Sequence, residues 1–165
     1  MRRADFSATS WEDRVFALLA SHPDTVTVAD ARHLDPSTRN GVDGLWKIAD
    51  GDRTVEVPFS VHVAAPGSHQ VRFETATLRG RARFEGSAFS EAVRIAFVCS
   101  PHSHAMVSLP GHALRDFLRR HDEYPRSTVS IGGDARDPVR AELVAVPVTD
   151  LMRIPEATIS TPESW

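Results

Sequence analysis

The segment TVEVPFSVHV, residues 54–63, restricts the fold more than any other stretch. Val55, Val57, Phe59, Val61 and Val63 alternate with Thr54, Glu56, Pro58, Ser60 and His62. A period of two is that of a strand with one buried and one polar face; a helix would scatter these side chains. Pro58 has no N–H to give to a ladder, so it predicts an edge or a bulge there. The preceding GLWKIA run, residues 44–49, and the Asp50-Gly51 turn signal complete a β-hairpin.

The apolar alternation also limits the register. A two-residue loop at Asp50-Gly51 sets Leu45 opposite Glu56. A four-residue loop from Asp50 to Arg53 sets Trp46 opposite Val57 and Lys47 opposite Glu56. Directly opposed residues share a face, so both registers collect Trp46, Ile48, Val55 and Val57 on the apolar side. Both put Asp43, Lys47, Glu56, Ser60 and His62 on the other. An odd-length loop would scramble the apolar face.

Around this hairpin the chain reads as one α+β domain over residues 1–154, with a mixed or mostly antiparallel sheet, an N-terminal helix and a later short helix. The first helix covers residues 10–20: Thr9 and Glu12 fit a capping box, and Trp11, Val15, Leu18 and Leu19 recur at helical spacing. TVTVADA (25–31) reads as a strand, DPSTRNG as a loop, and HQVRFETATL as a further strand. RGRARFEGSAFSEA is ambiguous, with part of it helical. VRIAFVC is an apolar run suited to a strand buried on both faces, and AMVSL follows as its neighbour. Pro110 opens a short helix with Leu114, Phe117 and Leu118 inward and Arg115, Arg119 and Arg120 outward. STVSIGG and RAELVAVPV are late strands, and residues 155–165 form a Pro-, Ser- and Thr-rich tail.

Composition narrows the function classes. With 165 residues, 41% hydrophobic and 25% charged, the chain can bury one core. No apolar run reaches bilayer length, so no membrane partner is expected. The opening MRRADFSATSWEDR has no apolar segment behind its arginines, which argues against a secretory leader. Cys99 is the single cysteine, so no internal disulfide can form and a cytoplasmic location is the default. The net charge of −3 argues against a strongly basic nucleic-acid binder, while a local basic groove is still allowed.

The polar hairpin face carries two carboxylates, Asp43 and Glu56, and the only lysine, Lys47. Paired carboxylates are hard oxygen ligands for Mg²⁺ or Mn²⁺. Such an ion activates water and stabilises charge on a phosphodiester, and a lysine beside it orients that water. The helix with Glu12, the strand, GVDG, the turn and VEV together resemble the front half of a PD-(D/E)xK nuclease-like domain, the family of restriction endonucleases and related repair nucleases. The family pattern has an acidic residue after the first helix–strand unit and an acid-x-lysine pair on the next strand; many members add a glutamate in the first helix. The resemblance covers roughly residues 9–62. It implies Asp43 and Glu56 as metal ligands and Glu12 or Lys47 as assisting groups, with Pro58 standing where the family has lysine. It implies nucleic acid as partner and phosphodiester cleavage, or binding alone in a degenerate member.

Two other readings stay open. CSPHSHAMVSLPGH offers Cys99, His102 and His104 as ligands for Zn²⁺, which would make a zinc-dependent hydrolase. A non-catalytic interaction or assembly module, with a protein partner or a second copy on its polar face, is the other. For a nucleic-acid partner the phosphate contacts would come from Arg79, Arg81 and Arg83 in RGRAR and from Arg115 and Arg119 in RDFLRR, because guanidinium groups grip two phosphate oxygens at once.

Overall fold

The computed structural model describes residues 8–161, with side chains from residue 11. Helix α1 spans Ala8–Ser21, and the strands β1 (Thr25–Asp30), β2 (Gly44–Asp50) and β3 (Arg53–Val63) form an antiparallel meander. A short helix α2, Pro36–Arg39, lies in the expected DPSTRNG loop, because the Asp35 carboxylate caps the Ser37 and Thr38 amides. β4 (Gln70–Arg79) and β5 (Ala82–Glu85) make a hairpin, followed by a 3₁₀ turn, Ser87–Phe89. β6 (Ile95–Ser100), β7 (Ala105–Pro110) and α3 (Gly111–Arg120) follow, then β8 (Arg126–Gly133), β9 (Pro138–Pro147), α4 (Val148–Leu151) and β10 (Thr158–Ser160).

The strands form two sheets. One has the order β1-β2-β3-β6-β7-β10, antiparallel throughout except that β6 runs parallel to β3. The other is antiparallel, with order β5-β4-β9-β8. The fold is therefore the expected α+β domain with a mixed sheet, an N-terminal helix and a later short helix. The supposed tail does not hang free. Ala157 packs against the core, and Thr158–Ser160 close the edge of the larger sheet against β7. Residues 162–165 lie outside the described residues, as does the side chain of Thr9 in the expected capping box.

The larger sheet is covered on both faces. Trp11, Val15 and Leu19 of α1 pack on Phe59, Val61, Phe97, Cys99 and Met106. On the opposite face Ala96, Val98, Val107 and Leu109 meet Leu114 and Leu118 of α3 and Val71, Phe73, Val144 and Val146 of the smaller sheet. This is why VRIAFVC shows no alternation: its strand has apolar neighbours above and below. No described helix is long and apolar enough to cross a membrane.

The hairpin adopts the register with Trp46 opposite Val57 and Lys47 opposite Glu56, closed by Asp50 opposite Arg53. Pro58 sits where its missing N–H costs nothing. Its carbonyl accepts the Arg94 amide on the β6 side, and β6 begins pairing only one residue later, at Phe59 opposite Ile95. The expected irregularity is thus an edge inside the sheet.

Candidate functional site

Asp43 lies where β2 stops accompanying β3. Its amide donates to the Phe59 carbonyl and its carbonyl accepts the Ala31 amide, both at 2.8 Å. Beyond that point β3 has no backbone neighbour on this side, and the Asp43 carboxylate supplies the next ladder bond, accepting the Val61 amide at 2.7 Å. Gly44 makes the position accessible: a Cβ there would run into the Phe59 ring beneath it. The local sequence therefore makes Asp43 a side-chain extension of β2.

A cleft of about 340 Å³ opens over this point, lined by Glu12, Arg32, Arg39, Asp43, His62 and Arg72, with Glu74 and Ser87 at its far wall. Most of its charges are matched. The Arg32 guanidinium reaches Glu12 at 3.1 Å, Asp13 at 3.0 Å and Asp30 at 2.7 Å. Arg39 approaches Asp43 at 3.5 Å, and Glu74 accepts the Thr77 hydroxyl at 2.8 Å. Burial pushes the Asp43 carboxyl above its ordinary range; the Val61 amide and Arg39 oppose that shift, and the charge of Glu12 adds to it. Burial also pushes His62 down to about 4, so the imidazole is neutral at pH 7. One ring nitrogen of His62 lies 3.0 Å from the Ser60 hydroxyl, and the ring packs tilted by 57° against Phe73, with ring centres 4.8 Å apart.

The structure brings Glu12 of α1 and Asp43 to one cleft and leaves Lys47 and Glu56 outside it. Gly44 pairs with Phe59 and Lys47 with Glu56, so Asp43 is level with Ser60, and Glu56 lies four residues away along β3. At roughly 3.3 Å per residue that is about 13 Å, beyond the span of one shared ion. Glu56 is instead ion-paired to Lys47 at 3.0 Å, with both side chains largely in solvent. The strand positions level with Asp43 and two beyond it hold Ser60 and His62. The residues beside Asp43 on β3 are thus Ser60 and His62, whereas the resemblance read from VEV pointed to Glu56 and Pro58. The even-numbered polar face already contained both residues; the missing signal was how far β2 runs along β3.

The Zn²⁺ candidates diverge. Cys99 is fully buried among the α1 contacts, and burial raises its thiol to about 12. His104 takes a positive φ of 48° and lies near the Trp11 ring, at 6.2 Å. His102 stands edge-on to His69 from the β3–β4 loop, with ring centres 4.3 Å apart. Among the described residues no group of three or more His, Cys, Asp or Glu side chains is placed to hold a metal ion.

The arginines expected to grip phosphate are mostly engaged. Arg79 pairs with Asp137 at 2.7 Å, Arg83 with Glu142 at 2.9 Å, and Arg119 with Glu85 at 3.8 Å. Arg115 does not point outward: its guanidinium donates to the Ser90 and Val93 carbonyls at 2.9 and 3.1 Å, tying α3 to the chain before β6. Arg81 stands exposed at the β4–β5 turn. Comparison with protein-family models, curated proteins and solved structures returns no match for this chain.

Proposed function

We propose that this chain is a nuclease-like domain that does not cleave and that works as a protein-binding module. The observation that carries the reading is the identity of the residues beside Asp43 on β3: with Asp43 as the first acid of the resembled pattern, Ser60 and His62 would stand at its acid-x-lysine positions, in place of the Glu56 and Pro58 that VEV presents. A hydroxyl and a neutral imidazole supply neither the second anionic oxygen that a hard Mg²⁺ or Mn²⁺ ion favours nor the cationic amine that would orient its water. Asp43 itself is committed to the Val61 amide and to Arg39. Glu12 is bound by Arg32.

A binding role fits the surface better through protein than through nucleic acid. The net charge is −3, and Arg79, Arg83, Arg115 and Arg119 have intramolecular partners that a phosphate would have to displace. The test is a cleavage assay with labelled single- and double-stranded DNA and RNA, with Mg²⁺, Mn²⁺ or EDTA, beside an Asp43→Asn control. The expected result is no metal-dependent cleavage by either protein. Cleavage that needs metal and disappears in Asp43→Asn would overturn the reading.

A further inference from the structure

A second concavity, of about 520 Å³, lies between α3 and the turn after α4 and shares no lining residue with the Asp43 cleft. Its floor is apolar, made by Ala113, Ile154 and Pro155. One wall is aromatic. Phe117 and His121 have ring centres 4.5 Å apart, and Phe117 and Tyr124 5.9 Å, with planes tilted by 36° and 32°. The spacing Phe117–His121 is one helical turn, and the chain leaving α3 folds Tyr124 back beside them. The Tyr124 hydroxyl donates to Asp150 at 2.8 Å, which fixes the ring and aligns a carboxylate with the wall.

The charged lining is biased. Asp116, Asp150 and Glu156 line the cavity, and Glu123 sits beside it, 2.7 Å from the His121 ring. Against them stand Arg120 and Arg153. The Arg153 pairing with Asp150 is loose, at 3.8 Å, and its side chain is 82% exposed, so it can swing aside. Ring faces carry negative potential, and carboxylates around them deepen it. A cation on an apolar stem satisfies the wall, the floor and the acid excess together. An anion would meet three carboxylates; Asp150 already has Tyr124 and Arg153 and Asp116 has Arg119 only at 4.0 Å, so a purely apolar group would do nothing for Asp116 and Glu156.

We propose that this cavity receives an arginine or lysine side chain presented by a protein partner, with Phe117, His121 and Tyr124 as the stacking wall and Asp116 and Glu156 as the charge partners. The inference rests on the binding-module reading and names the chemistry of the partner. The size suits it, because the cavity is within the usual range of binding pockets and larger than one side chain, leaving room for the flanking peptide.

The experiment titrates the ¹⁵N-labelled full chain with the peptide acetyl-Ala-Arg-Ala-amide, followed by amide chemical shifts. Free arginine and acetyl-Ala-Glu-Ala-amide are the comparisons. The expected result is saturable shifts confined to Phe117, His121, Tyr124, Ile154 and their neighbours, with a Kd of about a millimolar for so short a probe. Asp116→Asn combined with Glu156→Gln, both at the surface, is expected to weaken the arginine peptide about fivefold without changing the rest of the spectrum. Tyr124→Leu should weaken it by a similar factor. The proposal is overturned by shifts that do not saturate, by shifts elsewhere, by equal binding of the glutamate peptide, or by an unchanged Kd in the double variant. Free arginine binding as tightly as the peptide would also overturn it, since a partner's chain would then contribute nothing. Metal-dependent cleavage at the other cleft would end the non-catalytic reading and leave this titration's outcome unaffected.

Discussion

Glu142, on β9 of the smaller sheet, and Asp43, beside β3 of the larger one, are both partly enclosed carboxylates facing arginine, and their acidities move in opposite directions. Glu142 accepts both Arg83 guanidinium nitrogens at 2.9 and 3.0 Å, Arg126 at 2.8 Å and the Thr75 hydroxyl at 3.0 Å. Those contacts, Arg83 first, hold its carboxyl down at about 2 and join all four strands of the smaller sheet. Asp43 has a backbone amide and a more distant arginine, and burial prevails. The difference is in the number of donors aimed at the ionised form. A carboxylate that many donors surround is a fixed structural anion; one that is buried with few is costly to keep charged. Glu142 has an arginine on each carboxylate oxygen, whereas Asp43 gives one oxygen to the Val61 amide and faces Arg39 at 3.5 Å with the other.

The largest expected effect separates the two sites directly. Glu142→Ala leaves Arg83, Arg126 and Thr75 without their acceptor and should lower stability by about 2–3 kcal/mol in urea unfolding. Asp43→Asn keeps an oxygen for the Val61 amide and removes the buried charge, so it should lie within about 1 kcal/mol of the parent. Equal losses in the two variants would break the comparison.

Acid unfolding comes next. His62 and Glu142 both have folded values below their ordinary ones, so the unfolded chain binds the extra proton first and stability falls with pH. The His62 contribution is complete above pH 6.5 and is lost between 6.5 and about 4, by about 2 kcal/mol after allowing for solvent screening. The Glu142 contribution is lost lower, between 4.5 and about 2. Asp43, raised in the fold, has the opposite sign: its ionisation weakens the fold as pH rises above its ordinary value. In Asp43→Asn that opposing slope should disappear, so its stability should rise more steeply than the parent's as pH climbs above the ordinary aspartate range; a shallower rise would contradict the weakened acidity of Asp43.

Asp43→Ala is expected to cost about 1–2 kcal/mol, more than Asp43→Asn, because the Val61 amide then has no acceptor. Similar losses for both variants would mean that water replaces the carboxylate there. The smallest effect belongs to the hairpin pair. Lys47→Ala and Glu56→Ala should each change stability by no more than about 0.5 kcal/mol, as exposed ion pairs do.

The sequence made the scaffold legible where periodicity was strong. α1, β3, β6 and α3 follow from the spacing of Trp11, Val15 and Leu19, from the alternation at 54–63, from the unbroken VRIAFVC run and from Leu114 and Leu118. The Lys47–Glu56 pairing was visible as one of two even registers. The cleft was not, because it depends on where one strand outlasts its neighbour. Arg32, Arg39 and Arg72 come from separate segments that no local pattern relates. The RGRARFEGSAFSEA segment was ambiguous for another reason: Gly80 and Arg81 form a turn, the chain doubles back as β5, and Gly86 lies so close to the Glu74 backbone that no Cβ fits, which leaves only the 3₁₀ turn at Ser87–Phe89 helical. Residues 158–160 became a strand because β7 had a free edge, which no feature of a Ser- and Thr-rich run reveals.

The most direct test of the central claim is Mn²⁺ binding to the intact chain, followed by the electron paramagnetic resonance signal of the free ion. If the acids at Asp43 are structural, the parent and Asp43→Asn should give the same weak, non-saturating titration. Saturable binding of one ion by the parent, lost in Asp43→Asn, would contradict the account and make the cleft a metal centre.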